Sequence, residues 1–285
     1  MSGLNASLGY FVAAVIFVVT VKILLKKWPR FSFILEFASS FMLVACWLEV
    51  QTIVEIGQWA GGLGPDVTVT ILFVMMLTHG VICGTASGNP SLTLMKFLQL
   101  EAPILSTVLA VAAQFAGAHL GLIVAQYYWS LELTDMHMIK NLMYGQCSTS
   151  LMVSMPQGFF TESTCALIFC LIYLKLSRRS AFIRVPLIAL LLTFLSYTAR
   201  QYTSAFMNPS LAYGLTFHCP GNTFTQYAVV YWLGPLTGMM VALLLYVGHI
   251  PRIFAKNLLY SQKTRFKGPK RPETQTTAHK YHNIV

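Results

Sequence analysis

The sequence predicts an all-α membrane protein. Seven apolar runs are long enough to cross a bilayer, two shorter apolar stretches open with the same four letters, and charge is scarce. Of 285 residues, 56% are apolar and 10% charged, where a globular domain carries about a quarter charged. This composition excludes a water-soluble enzyme, a disordered chain and a disulfide-stapled secreted scaffold. The formal net charge is +10. The basic residues fall in short flanks between apolar runs, so they report topology, and no nucleic-acid partner is expected.

A span needs about 20 mostly apolar residues, because the hydrocarbon core is about 30 Å thick and a helix rises about 1.5 Å per residue. The runs are 4–25, 33–51, 67–83, 104–129, 158–176, 181–199 and 227–247. Each is read as a helix, since backbone in lipid must satisfy its own hydrogen bonds. The stretches 89–101 and 208–218 are too short to span. Lys22, Lys26, Lys27 and Arg30, then Lys96, the cluster around 175–184 and the residues from Arg252 onward share one side if the last six runs alternate. Only Lys140 and Arg200 of the 19 basic residues face the other. That asymmetry puts the tail in the cytosol. The first run carries its basic flank on its C-terminal side. It is an accessory helix, either spanning with its N-terminus outside the cytosol or lying along the interface. Asn5-Ala6-Ser7 is formally a glycosylation sequon, expected to stay unused at the chain end.

The run 33–51 opens with a glutamate in FILEFASSFMLV, and 158–176 opens similarly in FFTESTCALIFCL. Glu36 precedes Asn89-Pro90-Ser91-Leu92, and Glu162 precedes Asn208-Pro209-Ser210-Leu211. The order of Glu-bearing helix, helix, short stretch, helix therefore occurs twice, over 33–129 and 158–247. Three spans per copy make the second copy enter from the opposite face, an inverted repeat. Asn is a good N-cap and Pro suits the first helical turn, so each tetrapeptide starts a half-helix near midplane. The backbone before each Asn must descend without regular structure, as the small residues of CGTASGN allow. Such backbone is tolerated at that depth only where protein buries it or a wet cavity adjoins it.

On these paired Asn-Pro-small triplets, each following a Glu-bearing helix, the sequence resembles the aquaporin (major intrinsic protein) family over roughly 33–247. Both triplets end in Ser where the family usually has Ala. Cys219, nine residues after Ser210, resembles the mark of the superaquaporin subfamily; MSGLNASLGYF, LTHGV, TSAFMNPSLA and VYWLGPLTGM narrow the likeness within it. The resemblance implies a right-handed bundle of six transmembrane helices with two re-entrant half-helices, here with an extra N-terminal helix. The chain divides into an accessory segment 1–30, a channel body 31–250 within the lipid bilayer and a basic tail 251–285, read as a solvated segment with a topological role, attraction to anionic lipid being the alternative. A homotetramer in internal membranes of the secretory pathway is also implied, with water and small neutral solutes as the cargo. No cofactor, metal or catalytic residue is expected.

The chemistry follows from the half-helices. A helix N-terminus carries about half a positive charge and unsatisfied N–H donors. Two facing each other repel cations, and the amides of Asn89 and Asn208 donate to a passing water or hydroxyl. Glu36 and Glu162 each cost roughly 2–3 kcal/mol at a helix centre if unpaired. The family reading has each accept hydrogen bonds from the backbone leading into a half-helix; the alternative is snorkelling near a helix end. Family pores carry an Arg directly after the second triplet, which here is Leu211. By offset, the rest of that filter falls at Val69, Ser196 and Ala205, a ring wider and less polar than a water filter. Glycerol-like or peroxide-like solutes are then expected to pass beside water. Arg200 is expected as a charge at the non-cytosolic mouth rather than a replacement for the filter Arg. Cys219 falls near the same mouth as Cys147, and three readings stand: a disulfide, a redox-sensitive gate, or a buried thiol packing the half-helix. The last is the expectation.

Overall fold

A computed structural model describes residues 3–254 apart from 58, 61–62, 144–146 and 222. The tail beyond 254 lies outside the described residues. Among the described residues the secondary structure is helical throughout, with no strand. The chain runs through α1 (Gly3–Leu25), α2 (Ser32–Glu55), α3 (Thr68–Cys83), α4 (Pro90–Leu98), α5 (Ile104–Ser130), α6 (Asp135–Leu142), α7 (Met155–Leu176), α8 (Ala181–Thr198), α9 (Pro209–Ala212), α10 (Phe224–Tyr227), α11 (Gly234–Val247) and α12 (Pro251–Phe254). α9 continues as a π-helical stretch, Tyr213–Phe217, and another, Ala228–Leu233, joins α10 to α11 into one span.

Among the described residues six helices reach the length of a span: α1, α2, α5, α7, α8 and Phe224–Val247. α3, the third expected span, has only 16 residues. The 3₁₀ turn Pro65–Val67 precedes it and, at about 2 Å per residue, brings the pair close to bilayer thickness. α6 lies in the 130–157 connection, which sequence periodicity left structureless; it starts where the Thr134 hydroxyl caps the His137 amide.

Each repeat clasps its first helix to its third through a glycine pair. An added Cβ at Gly117 would lie 2.1 Å from the Phe37 carbonyl of α2, and one at Gly121 would lie 2.9 Å from that of Phe41. In the second repeat, one at Gly238 would lie 2.2 Å from the Ser163 carbonyl, and one at Gly234 would lie 3.0 Å from Glu162 Cβ of α7. With no hydrophobic drive between helices in lipid, this close backbone approach is what holds the pairs together. α3 of the first repeat packs on α8 of the second, and the half-helices α4 and α9 meet inside the bundle.

α1 runs antiparallel along α2. At one end Ser7 donates to Glu49 of α2, and Tyr128 of α5 donates to the Ala6 carbonyl. At the other end Lys22 Nζ donates to the Ile82 carbonyl of α3 at 2.7 Å. A 23-residue helix is about 35 Å long, so α1 spans alongside the bundle rather than lying across its end. Ser7 of the sequon is 1% exposed in this contact. Glu49 is wholly buried and also accepts from Trp129 Nε1 at 3.0 Å and pairs with His137 Nε2 of α6 at 2.9 Å. A glutamate near the end of an apolar run reads in sequence as interfacial. Only the arrival of α1, α5 and α6 around it makes Glu49 the bolt of four helices.

Candidate functional site: two half-helices meeting tip to tip

Asn89 and Asn208 cap α4 and α9 from extended backbone. The Asn89 carboxamide oxygen accepts from the Ser91 amide at 2.9 Å; that of Asn208 accepts from Ser210 at 3.1 Å and Leu211 at 3.3 Å. Pro90 and Pro209 occupy the first helical position, where no N–H is needed. The nitrogens reach across: Asn89 Nδ2 donates to the Met207 carbonyl at 3.1 Å, and Asn208 Nδ2 to that of Gly88 at 2.9 Å. Each asparagine thus holds the backbone that carries the other. Ser210 Oγ adds a bond to the Gly88 carbonyl at 3.1 Å.

The two glutamates brace the descents. Glu162, fully buried, accepts from the amides of Phe206 at 3.0 Å and Met207 at 2.8 Å. Glu36, half-buried, accepts from the amides of Ser87 at 3.1 Å and Gly88 at 2.9 Å, and from Gln114 Nε2 at 2.8 Å. Neither side chain reaches out toward a helix end.

A cavity of about 800 Å³ opens at the α6 end of the bundle. Ser196 lines it, together with Trp47, Thr68 and Leu72. Val69 is 41% exposed and does not line it. Counting back from Asn89 misses the helix phase, since Thr68 and Leu72, one turn apart, form the cavity side of α3. Ala205 and Leu211 are buried, at 0% and 2% exposure, and do not line it. Ala205 contributes its carbonyl to Ser196 Oγ. Lys140 and Arg200, the two basic residues set apart by topology, both line this cavity. Lys140 sits over the Trp129 ring at 5.3 Å. Burial, and then neighbouring His119, hold the His218 imidazole at the rim below its usual range, so Lys140 and Arg200 supply the positive charge there.

Cys219 is not a free packing thiol: it forms a disulfide with Cys147. The reason is tertiary. The Ser150 amide donates to Thr216 Oγ1 at 2.7 Å, laying the loop along the second half-helix and bringing the two Cα atoms to 5.2 Å. The cysteines are 72 residues apart, so no local pattern announces the pair. The opposite half-helix ends differently. Arg252 donates to the carbonyls of Phe97 at 3.1 Å and Ala102 at 3.0 Å, placing a cation at the C-terminus of α4.

Residues 25–246 match the model of the family described as "Major intrinsic protein". The chain belongs to the major intrinsic protein family. It is 43% identical over 274 residues to aquaporin-12 of Mus musculus, covering 95% of this chain and 94% of the relative. It is 40% identical to putative aquaporin-12B of Homo sapiens, covering 95% and 89%, and 29% identical to aquaporin-11 of Mus musculus, covering 86% and 90%. The superaquaporins are thus its near kin. Among solved structures, the aquaglyceroporin of Plasmodium falciparum superposes with a TM-score of 0.61 over 75% of this chain and 93% of that one, at 15% identity. That likeness concerns the fold: six spans and two half-helices, to which this chain adds α1. The molecule is a multi-pass membrane channel of this family and not an enzyme.

Proposed function

We propose that the chain is a passive channel for water and small neutral solutes, with glycerol and hydrogen peroxide in range, that excludes ions at the meeting point of α4 and α9. The observation that carries this reading is the reciprocal bonding of the two asparagines. A carboxamide nitrogen has two hydrogens. One on each Asn is taken by the facing backbone carbonyl, and both oxygens are taken by helix N–H groups. What remains at each tip is a single donor. A water oxygen accepting from both has its own hydrogens turned outward, and a proton cannot pass along the file. The opposed N-terminal dipoles add repulsion for cations. Solutes leave as readily as they enter, because no charged group binds them between the tips.

With Leu211 in the place of the family's filter Arg, exclusion of protons rests on this midplane more than on the mouth. Cytosolic placement of the C-terminus follows from the basic flanks. Residence in internal secretory-pathway membranes and assembly as a homotetramer, with each protomer of residues 31–250 holding its own pore, follow from kinship with the superaquaporins.

The test is stopped-flow shrinkage of proteoliposomes holding the purified chain, with a pH-sensitive dye inside. Fast water flux linear in the osmotic gradient, without proton leak, is expected. Saturable flux identifies a secondary transporter instead, and absence of flux a structural protein.

A further inference from the structure

We infer that Trp47 of α2, rather than the residues counted off from the Asn-Pro-Ser triplets, is the specificity-determining residue of the pore at its α6 end, and that it selects small polyols by an aromatic wall bearing one free N–H donor. This rests on the channel reading above.

The geometry begins at the midplane. Ser40 of α2 donates to Ser210 Oγ at the tip of α9, so Ser40 marks the face of α2 turned to the meeting point. Trp47 lies seven residues on. Seven residues make nearly two turns, which returns to the same face about 10 Å further along the axis. Trp47 therefore shares the face of α2 that carries Ser40, further toward the α6 end, and it lines the cavity. It is 6% exposed, and its orientation is fixed from behind. Phe206 packs edge-on against it with centroids 6.0 Å apart, and Phe206 is held in turn by Tyr231 at 5.6 Å and, through its amide, by Glu162. An indole nitrogen donates and never accepts, and among the described residues none accepts from Trp47 Nε1.

The chemistry of the surrounding wall agrees. Ser196, which lines the same cavity, brings a hydroxyl whose bond to the Ala205 carbonyl is long, at 3.5 Å, and Leu72 is apolar. A solute with hydroxyls on one edge and C–H on the other matches a wall with a donor at Trp47, an acceptor oxygen at Ser196 and an apolar surface at Leu72. Neither Val69 nor Leu211 reaches that wall.

Proteoliposomes of the full chain, with water, glycerol and erythritol as probes, test the inference. Trp47→Phe keeps the wall and removes the donor. It is expected to lower the glycerol-to-water permeability ratio about threefold or more, the worth of one neutral hydrogen bond, with erythritol still excluded. Trp47→Ala opens the wall and is expected to raise erythritol permeability about tenfold. A merely structural role would lower the water and glycerol fluxes together, leave their ratio alone and leave erythritol excluded. A wild-type ratio in the Phe variant, or wild-type exclusion of erythritol in the Ala variant, overturns the inference while the channel reading stands. A wild type that passes none of the probes overturns both.

Discussion

The two backbone descents into the pore solve one problem with different residues. In the first repeat the turn into Asn89 is made by Gly84 and Gly88, both at positive φ, where glycine has no steric penalty. In the second the same descent uses Ser204, Ala205 and Met207 at positive φ, a conformation costing side-chain-bearing residues roughly 1–2 kcal/mol each. That strain is held by more contacts. Glu162 takes two amides, the Ala205 amide donates to Thr203 Oγ1 at 3.2 Å, and the Tyr231 and Tyr227 hydroxyls donate to the carbonyls of Thr203 and Pro209. The second half-helix is also the one with a π-helical stretch and a disulfide at its outer end. Repeat symmetry fixes where each half-helix starts, and everything that stiffens it is particular to its own side.

The largest expected difference concerns the glutamates. Glu162→Ala leaves two fully buried amides without acceptors, at about 1–3 kcal/mol each, whereas water can reach the half-buried Glu36 site. Thermal unfolding in detergent should show Glu162→Ala about 3–5 kcal/mol less stable and Glu36→Ala less affected by half or more. Equal losses would break the contrast. Next in size is Gly88→Ala. A Cβ there would sit 2.9 Å from the Ser40 amide nitrogen and 3.0 Å from Ser39 Oγ, at φ +57°. A loss of about 2–3 kcal/mol in the same assay is expected, along with a weaker proton barrier, because the Gly88 carbonyl orients Asn208.

The triplet serines give a smaller and more pointed comparison. Ser210 Oγ donates to the Gly88 carbonyl, and the hydroxyl of Ser40 donates to it, whereas Ser91 Oγ is buried with no hydrogen-bond partner. By offset the reason is visible. Ser40 follows Glu36 by four residues, and the residue four after Glu162 is Ala166, which has no hydroxyl to offer. Ser210→Ala should cost about 1 kcal/mol and Ser91→Ala nothing, or gain a few tenths. A cost at Ser91 as large as that at Ser210 would show that Ser91 is not an idle hydroxyl. Smallest of all, Ser204→Gly relieves positive φ at the cost of a more flexible unfolded chain, for a net gain of about 0.5 kcal/mol. A loss on that substitution would mean the left-handed turn carries no strain.

Much of the fold was legible in the sequence because lipid leaves few options: an apolar run of 20 residues must be a helix. Glu36, Glu162, Asn89 and Asn208 stood out because polar residues there are expensive unless paired, and the structure pairs each of these four. The filter was less legible. Offsets from Asn89 and Asn208 assume one uninterrupted helical phase, but the irregular backbone 84–88 separates α3 from Asn89, and it is Thr68 and Leu72, not Val69, that line the cavity. Trp47 gave no signal, being one aromatic residue in an apolar run. Glu49 and His137, 88 residues apart, gave none either.

The sequence by itself determined the number of crossings, the inverted repeat and the identity of the residues that cap the half-helices, because periodicity, charge asymmetry and capping are local or statistical properties of a chain in a bilayer. Only the tertiary structure decided that the Asn amides grip each other's backbone, that Cys147 and Cys219 are joined, and that Glu49 fastens the extra helix. Hydrogen bonds and thiols act over about 3–4 Å, and which side chains come that close depends on how helices distant in sequence pack.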